Sequence, residues 1–369
     1  MRKSVKQQLA LRVLSTAALM AMVSSIATAA FAAEYNVKDG SVEIVAKDGI
    51  QSITQRDDTG AFVKDEKGDI DHRQDDDIIL TTKNKDTGET ETTSNTVTIT
   101  AEEKGDTANV TLQDVHIETE GSWNNTGSAP IEIKGNGDTN LELNGDNTVL
   151  SGDSYHAAIE KADKNGHGTL TIKDDLNDDN STPKDKDENG NAAGGDTGKL
   201  LAGGYGDGAG IGGGCNGIVD LSYADTSNIT IKGGEITARG GCEDGAGIGG
   251  GGIDGNGNNI TISGGTVVAT GGEYSAGIGG GNSSDNNASK ITISGGNVTA
   301  TGAGSAAGIG GGNGGSGTDI EITGGIVMAT GGEQGAGIGG GNGGNGSRIT
   351  VSGGEVNAAG KDNYDGGGA

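Results

Sequence analysis

The sequence predicts an all-β protein: a parallel β-helix (β-solenoid), wound right-handed, with three short strands in each rung of about 30 residues. Three observations carry this expectation. Glycine supplies 76 of 369 residues and proline only 2, which departs from globular composition, and the glycines lack the three-residue period of collagen. The string "AGIGGG" recurs from Ala209, Ala246, Ala276, Ala307 and Ala336, at intervals of 37, 30, 31 and 29 residues, and "ITI"-like triplets at Ile229, Ile260, Ile291, Ile320 and Ile349 keep step with it. Within a unit the apolar residues alternate over short spans broken by Gly-Gly, a strand period with corners, and no window sustains a helical period.

Residues 1–32 read as an export signal. Arg2, Lys3, Lys6 and Arg12 precede the apolar run from Val13 to Ala27, and Ala30-Phe31-Ala32 fits a small-residue cleavage site. The run is too short to span a bilayer, and no later stretch approaches that length. An extracellular or cell-surface location without a membrane span is expected. Loss of the four basic residues moves the net charge from −27 to about −31, which argues against nucleic acid and favours solubility or divalent cations.

Residues 33–200 carry the same kind of strand with less glycine and read as degenerate N-terminal rungs with acidic loop insertions. The inward candidates are Val110, Leu112, Val115, Ile117, Ile131, Ile133, Leu141, Leu143, Leu170 and Ile172. Hydrophilic stretches near 56–77, 83–94 and 173–199 have the composition of exposed loops. In the last of these, Asp185, Asp187, Asn189, Gly190, Asn191 and Asp196 stand at positions 1, 3, 5, 6, 7 and 12 of a calcium loop. Position 12 is Asp rather than Glu, and no helices flank the loop.

Residues 201–369 hold the glycine-rich rungs. Each supplies an "ITI" strand, a "TVVAT" strand and an "AGIGG" strand. Ile262, Ile293, Ile322 and Val351 should form one inward column, and Ile211, Ile248, Ile278, Ile309 and Ile338 another, while the small inward Ala269, Ala300 and Ala329 imply a narrow coil. Gly-Gly pairs such as 264–265 supply the positive φ of a corner. Outward Thr270, Thr301 and Thr330, and the corner residues Asn282, Asn313 and Asn342, should hydrogen-bond from rung to rung. Asp207, Glu243, Asp244, Glu273 and Glu333 fall at the corner before the third strand, where stacked like charges call for water or a cation. Cys215 and Cys242 are expected at opposite ends of the third side and therefore unbonded. The chain stops at Ala369 within a remnant of the repeat rather than a cap, which predicts a truncated or open edge.

The strings "GAGIGGG", "ITISGGTVVATGG", "YNVKDGSVEI" and "NLELNGDNTVLSG" resemble secreted surface proteins of Firmicutes-type anaerobic bacteria, carbohydrate-binding-domain or adhesin-like repeat proteins. The resemblance covers 100–360 best. It implies a polysaccharide or cell-surface glycan as partner, with calcium as a bridging ion to an acidic glycan. The expected protein is therefore a non-catalytic, calcium-assisted binding module with Trp123, Asp207, Glu243, Asp244 and Glu273 as candidate ligand-binding residues. Aromatics that stack on sugars are scarce, Trp123 being joined only by Tyr155, Tyr205, Tyr223 and Tyr274. The alternatives are a polysaccharide lyase or hydrolase, for which Arg239 beside Glu243 and Asp244 is the candidate cluster, and a purely structural spacer. His72, His116, His156 and His167 read as scattered surface residues.

Overall fold

The computed structural model describes residues 33–121, 127–161, 168–174, 197–215, 224–252, 254–282 and 287–361. Its described residues are all β apart from one short 3-10 turn, Val37–Asp39. Three long sheets of 10, 8 and 11 strands run along the molecule. Sequential rungs lie side by side with parallel pairing. In the first sheet Ile229, Ile260, Ile291, Ile320 and Ile349 are successive partners. In the second, Ile236, Val267, Val298 and Val327 are. In the third, Ile159, Ile211, Ile248, Ile278, Ile309 and Ile338 are.

These columns are the core. Ile262, Ile293, Ile322, Ile278 and Ile309 are fully buried, as are Ala269 and Ala300, while every inward candidate of the N-terminal half is less than a tenth exposed. Burying each isoleucine contributes about 1.5–3 kcal/mol. The columns pass without a break from the degenerate rungs into the glycine-rich ones: Val110 stacks on Leu141, Leu141 on Ile172, Ile172 on Ile231 and Ile231 on Ile262. No described strand stacks above the last rung, where Ile349 and Val351 are 38% and 52% exposed.

The corners follow from residue type. The second glycine of each pair, including Gly234, Gly265, Gly296 and Gly325, sits at φ 82 to 88°, a region that L side chains resist. A second left-handed position precedes each "ITI" strand, at Asn228, Asn259, Lys290, Asp319 and Arg348. It skips one residue in the ladder and aims these side chains outward.

The third side differs from expectation. The Ala N–H of each "AGIGG" donates to the carbonyl four residues on, at 3.0 Å for Ala276 to Gly280 and for Ala307 to Gly311. Only two residues, such as Ile278–Gly279, are left as strand. The segment doubles back instead of crossing a full side, and its two flanks meet. Cys215 and Cys242 are both free, one buried and one exposed, and Cys215 donates to the side chain of Asp207.

The first rung is closed by a hairpin that the sequence reading left out. Ser41–Lys47 pairs antiparallel with Ile50–Arg56 through Asp48-Gly49, both at positive φ, the turn chemistry that a two-residue hairpin needs. Gln51 and Gln55 on the second strand are buried, and the Gln55 side-chain amide donates to the carbonyls of Asn36 and Gly40 at 2.7 and 2.9 Å. The insert at 56–77, expected as loop, adds a small ribbon, Lys64–Asp65 with Gly68–Asp69, and Arg73–Gln74 pairs onto the hairpin. Part of the 83–94 stretch is likewise tied by an antiparallel bridge between Lys83 and Thr90.

Candidate binding groove

An open groove of about 870 Å³ lies where the second sheet meets its corner in the middle rungs. Its floor follows from strand register. Glu118, Leu150, Gly203 and Arg239 occupy one outward position in four successive rungs. Later rungs fill that position with Thr270, Thr301 and Thr330. At Gly203 and the adjacent Gly204 no side chain projects, so the surface dips. Thr119, Glu120, Ser151 and Tyr205 line the groove beside this column. Tyr205 is 38% exposed. Arg239 lines the groove. Thr92, Thr93 and Ser94 extend the lining one rung further, so the groove spans four spacings of about 4.8 Å, or about 19 Å.

The acidic corner lies beside it on the third side. Doubling back of "AGIGG" brings the residue after each glycine run against the corner of the rung below. Asn282 donates from its backbone N–H to the Asp244 carbonyl at 3.2 Å and from its side-chain amide to the Asp244 carboxylate at 2.8 Å. Asn313 donates in turn to the Asn282 side chain at 3.3 Å. The asparagine ladder thus forms between Asn282 and Asn313, while Asn342 donates its backbone N–H to the Ser305 carbonyl at 2.7 Å. The threonine columns align in register without hydroxyl-to-hydroxyl bonds among the described residues.

Asp207 lacks such an amide, because Gly252 stands where Asn282 stands one rung later. A Cβ on Gly252 would lie 2.6 Å from the Asp207 Cβ, so the aspartate fills that space itself. Burial, then the charges of Asp244 and Glu243, push the Asp207 carboxyl up to about 6, against a smaller opposing effect of the Cys215 thiol. Burial also raises Asp244, opposed by the Asn282 amide and assisted by Glu243 and Glu273. Glu273 accepts from Tyr274 and raises it. Glu333 is set apart from Glu273 by the intervening Gly304. Within the corner, Asp207 and Asp244 thus hold their protons to higher pH than ordinary carboxyls. Among the described residues no three His, Cys, Asp or Glu side chains converge to hold a metal ion.

A third polar group was invisible in the sequence. Glu160 occupies the third-sheet position that is glycine in every later rung. It is buried, accepts the His156 ring Nδ1 at 2.8 Å and the Ala157 N–H at 3.2 Å. Burial pulls the imidazole down, but the Glu160 bond and charge, with Asp153 and Glu132 behind, carry it above its ordinary value. His72, by contrast, is exposed beside Asp71.

Several candidates fall elsewhere. Trp123, Tyr223, His167, the signal at 1–32 and the calcium-loop residues Asp185, Asp187, Asn189, Asn191 and Asp196 lie outside the described residues. The groove itself was missed. Its members come from rungs of irregular length, and only the Gly203-Gly204-Tyr205 string hinted at a dip.

A family model described as "Beta helix repeat" matches residues 229–252, 260–282, 291–313 and 320–342, one match per glycine-rich rung. No curated protein and no solved structure matches the sequence. No helix among the described residues is long and apolar enough to cross a membrane. In strand register, in inward columns and in repeat sequence alike, the chain is a β-helix repeat protein.

Proposed function

We propose that the protein is a secreted or cell-surface, non-catalytic module that binds polysaccharide along the groove crossing the middle rungs. The observation that carries this reading is the lining. Hydroxyls of Thr92, Thr93, Thr119 and Ser151, the exposed ring of Tyr205 and the guanidinium of Arg239 border one open channel, which runs along the solenoid axis. Extended glycans are bound by such combinations of hydrogen-bonding rims and an aromatic platform. An open channel also admits a polymer at any point along its length. Calcium enters this reading through the 185–196 loop, whose oxygen-bearing side chains stand at calcium-loop spacing, and through the acidic corner, where stacked carboxylates favour a cation.

The test is a glycan array probed with the wild-type protein, Tyr205→Ala and Arg239→Ala, each with and without EDTA. Loss of a stacking ring typically costs about 1–3 kcal/mol, a drop of about 5- to 160-fold, so selective loss in Tyr205→Ala supports the groove. Binding that vanishes with EDTA assigns calcium to recognition. Absence of glycan binding in the wild type leaves a structural spacer. Release of reducing ends from a bound polymer, abolished in Arg239→Ala, replaces this reading with a lyase or hydrolase.

A further inference from the structure

Over the glycine-rich rungs the faces of the solenoid differ in charge. The first sheet turns Lys290, Asp319, Glu321 and Arg348 outward. The third sheet presents glycine beside each buried isoleucine. The second sheet is unlike both. On the strands Thr266–Thr270, Asn297–Thr301 and Ile326–Thr330, the nine outward positions form a three-by-three grid in register, and none carries a charge. Val268, Ile326 and Met328 in this grid are 38%, 48% and 50% exposed. Glu235 and Arg239 in the rung below and Glu355 in the rung above bound it. In a chain of net charge −27, such a gap admits a neutral partner without the cost of desolvating charge.

Size narrows the partner. Two rung spacings of about 4.8 Å by four residues of about 3.4 Å give about 10 by 14 Å between outermost Cα atoms. With side chains this is a few hundred Å², well below the roughly 800 Å² per partner of a stable protein interface. A second copy or a folded protein does not fit that area. The face is also continuous with the groove, because Arg239 on the groove wall pairs in register with Thr270, and Thr270 with Thr301 and Thr330. Threonine offers a hydroxyl beside a methyl, and Ile326 and Met328 add apolar area. Sugar rings present the complement, hydroxyls around a rim and C–H groups on the faces.

We propose that this uncharged face of the second sheet docks onto an uncharged polysaccharide laid out as a flat array of parallel chains, extending the site begun in the groove. The proposal rests on the reading of the protein as a carbohydrate binder, and not on the groove as the place where soluble sugar binds. Weak, equivalent contacts repeated at rung spacing then accumulate across the array.

The test is partitioning of the full chain onto microcrystalline cellulose, with a polygalacturonate gel as polyanionic control, alongside binding of soluble oligosaccharides. Wild-type protein is expected on cellulose, undiminished at high salt, with little on the polyanion. Thr299→Asp and Met328→Lys, opposite in charge and both outward, are each expected to lower the partition coefficient at least tenfold while keeping the melting midpoint and soluble-sugar binding. Tyr205→Ala is expected to lose soluble-sugar binding. If the wild type stays off cellulose, prefers the polyanion, or binds it equally well with either charge installed, the docking face is wrong even where the groove binds soluble sugar. Cellulose binding without soluble-sugar binding sinks the groove and leaves the face standing. If the face instead shapes growing ice crystals and the same variants abolish that, its partner is ordered water and the proposal fails.

Discussion

Asp207→Asn should stabilise the protein at neutral pH and not at acid pH. The carboxyl of Asp207 is lifted from 3.8 to about 6 by burial and by the charges of Asp244 and Glu243. A carboxyl raised on folding holds its proton longer in the native than in the unfolded chain. Its contribution is therefore fully present below about pH 4, declines as pH rises through 4 to 6, and above 6 has become the full penalty of an ionised group in a hostile site. A shift of about two units corresponds to at most about 3 kcal/mol. The side chain is only half-buried, so solvent screening reduces this to about 1 kcal/mol. The asparagine keeps an acceptor for the Cys215 thiol and offers Glu243 and Asp244 a donor, while its charge is gone. In melts run in EDTA from pH 3.5 to 7.5, the difference between variant and wild type should be near zero at the acid end. It should grow to about 1–2 °C in favour of the variant by pH 7. A difference that is flat with pH would show that Asp207 titrates as an exposed carboxyl. A variant that loses stability as pH rises would show that the carboxylate has a cationic partner, and the reading of Asp207 as proton-retaining would be wrong.

Three further outcomes follow from the same geometry. Gly310 sits at φ +135° and a Cβ there would meet the Gly339 carbonyl oxygen at 1.9 Å; Gly310→Ala should cost more than about 3 kcal/mol in a urea titration. Lys290 holds the left-handed position that Asn259 and Asn228 occupy one and two rungs earlier, and Lys290→Asn should raise the unfolding free energy by about 0.5–1 kcal/mol. Ile278→Ala opens a hole in the third-sheet column, where Ile248 and Ile309 lie directly below and above, and should cost about 2–5 kcal/mol in the same titration.

The rung was legible because stacking turns a local alternation into a global column. Once Ile260 and Ile291 are known to begin equivalent strands, their mutual contact follows from the period alone. The third side was not legible in the same way. "AGIGG" has an apolar residue flanked by glycines and so reads as strand, but three glycines in five residues also permit the chain to close on itself, and the bond from Ala276 to Gly280 shows that it does. Alternation cannot distinguish these outcomes, because only one side chain in the segment needs burial. The Asp48-Gly49 hairpin carried an explicit turn signal. The groove carried none: Glu118, Leu150, Gly203 and Arg239 are separated by 32, 53 and 36 residues, and nothing short of the register puts them in one line.

That contrast locates function in this architecture. Inward positions are constrained by the residue above and the residue below, so a substitution there propagates along the column. Outward positions answer only to solvent, and a column can change its chemistry at one rung without disturbing the next. Such changes are Arg239 in a column of threonines, Gly203 where a side chain is otherwise present and Gly252 where later rungs carry asparagine. Because the backbone is repeated so closely, a departure in one column costs little in fold and places its side chain to within the tolerance of the rung spacing. A binding surface can therefore be assembled on the solenoid by editing single residues at intervals of about one rung, and the interruptions, more than the repeats, are where recognition should be sought.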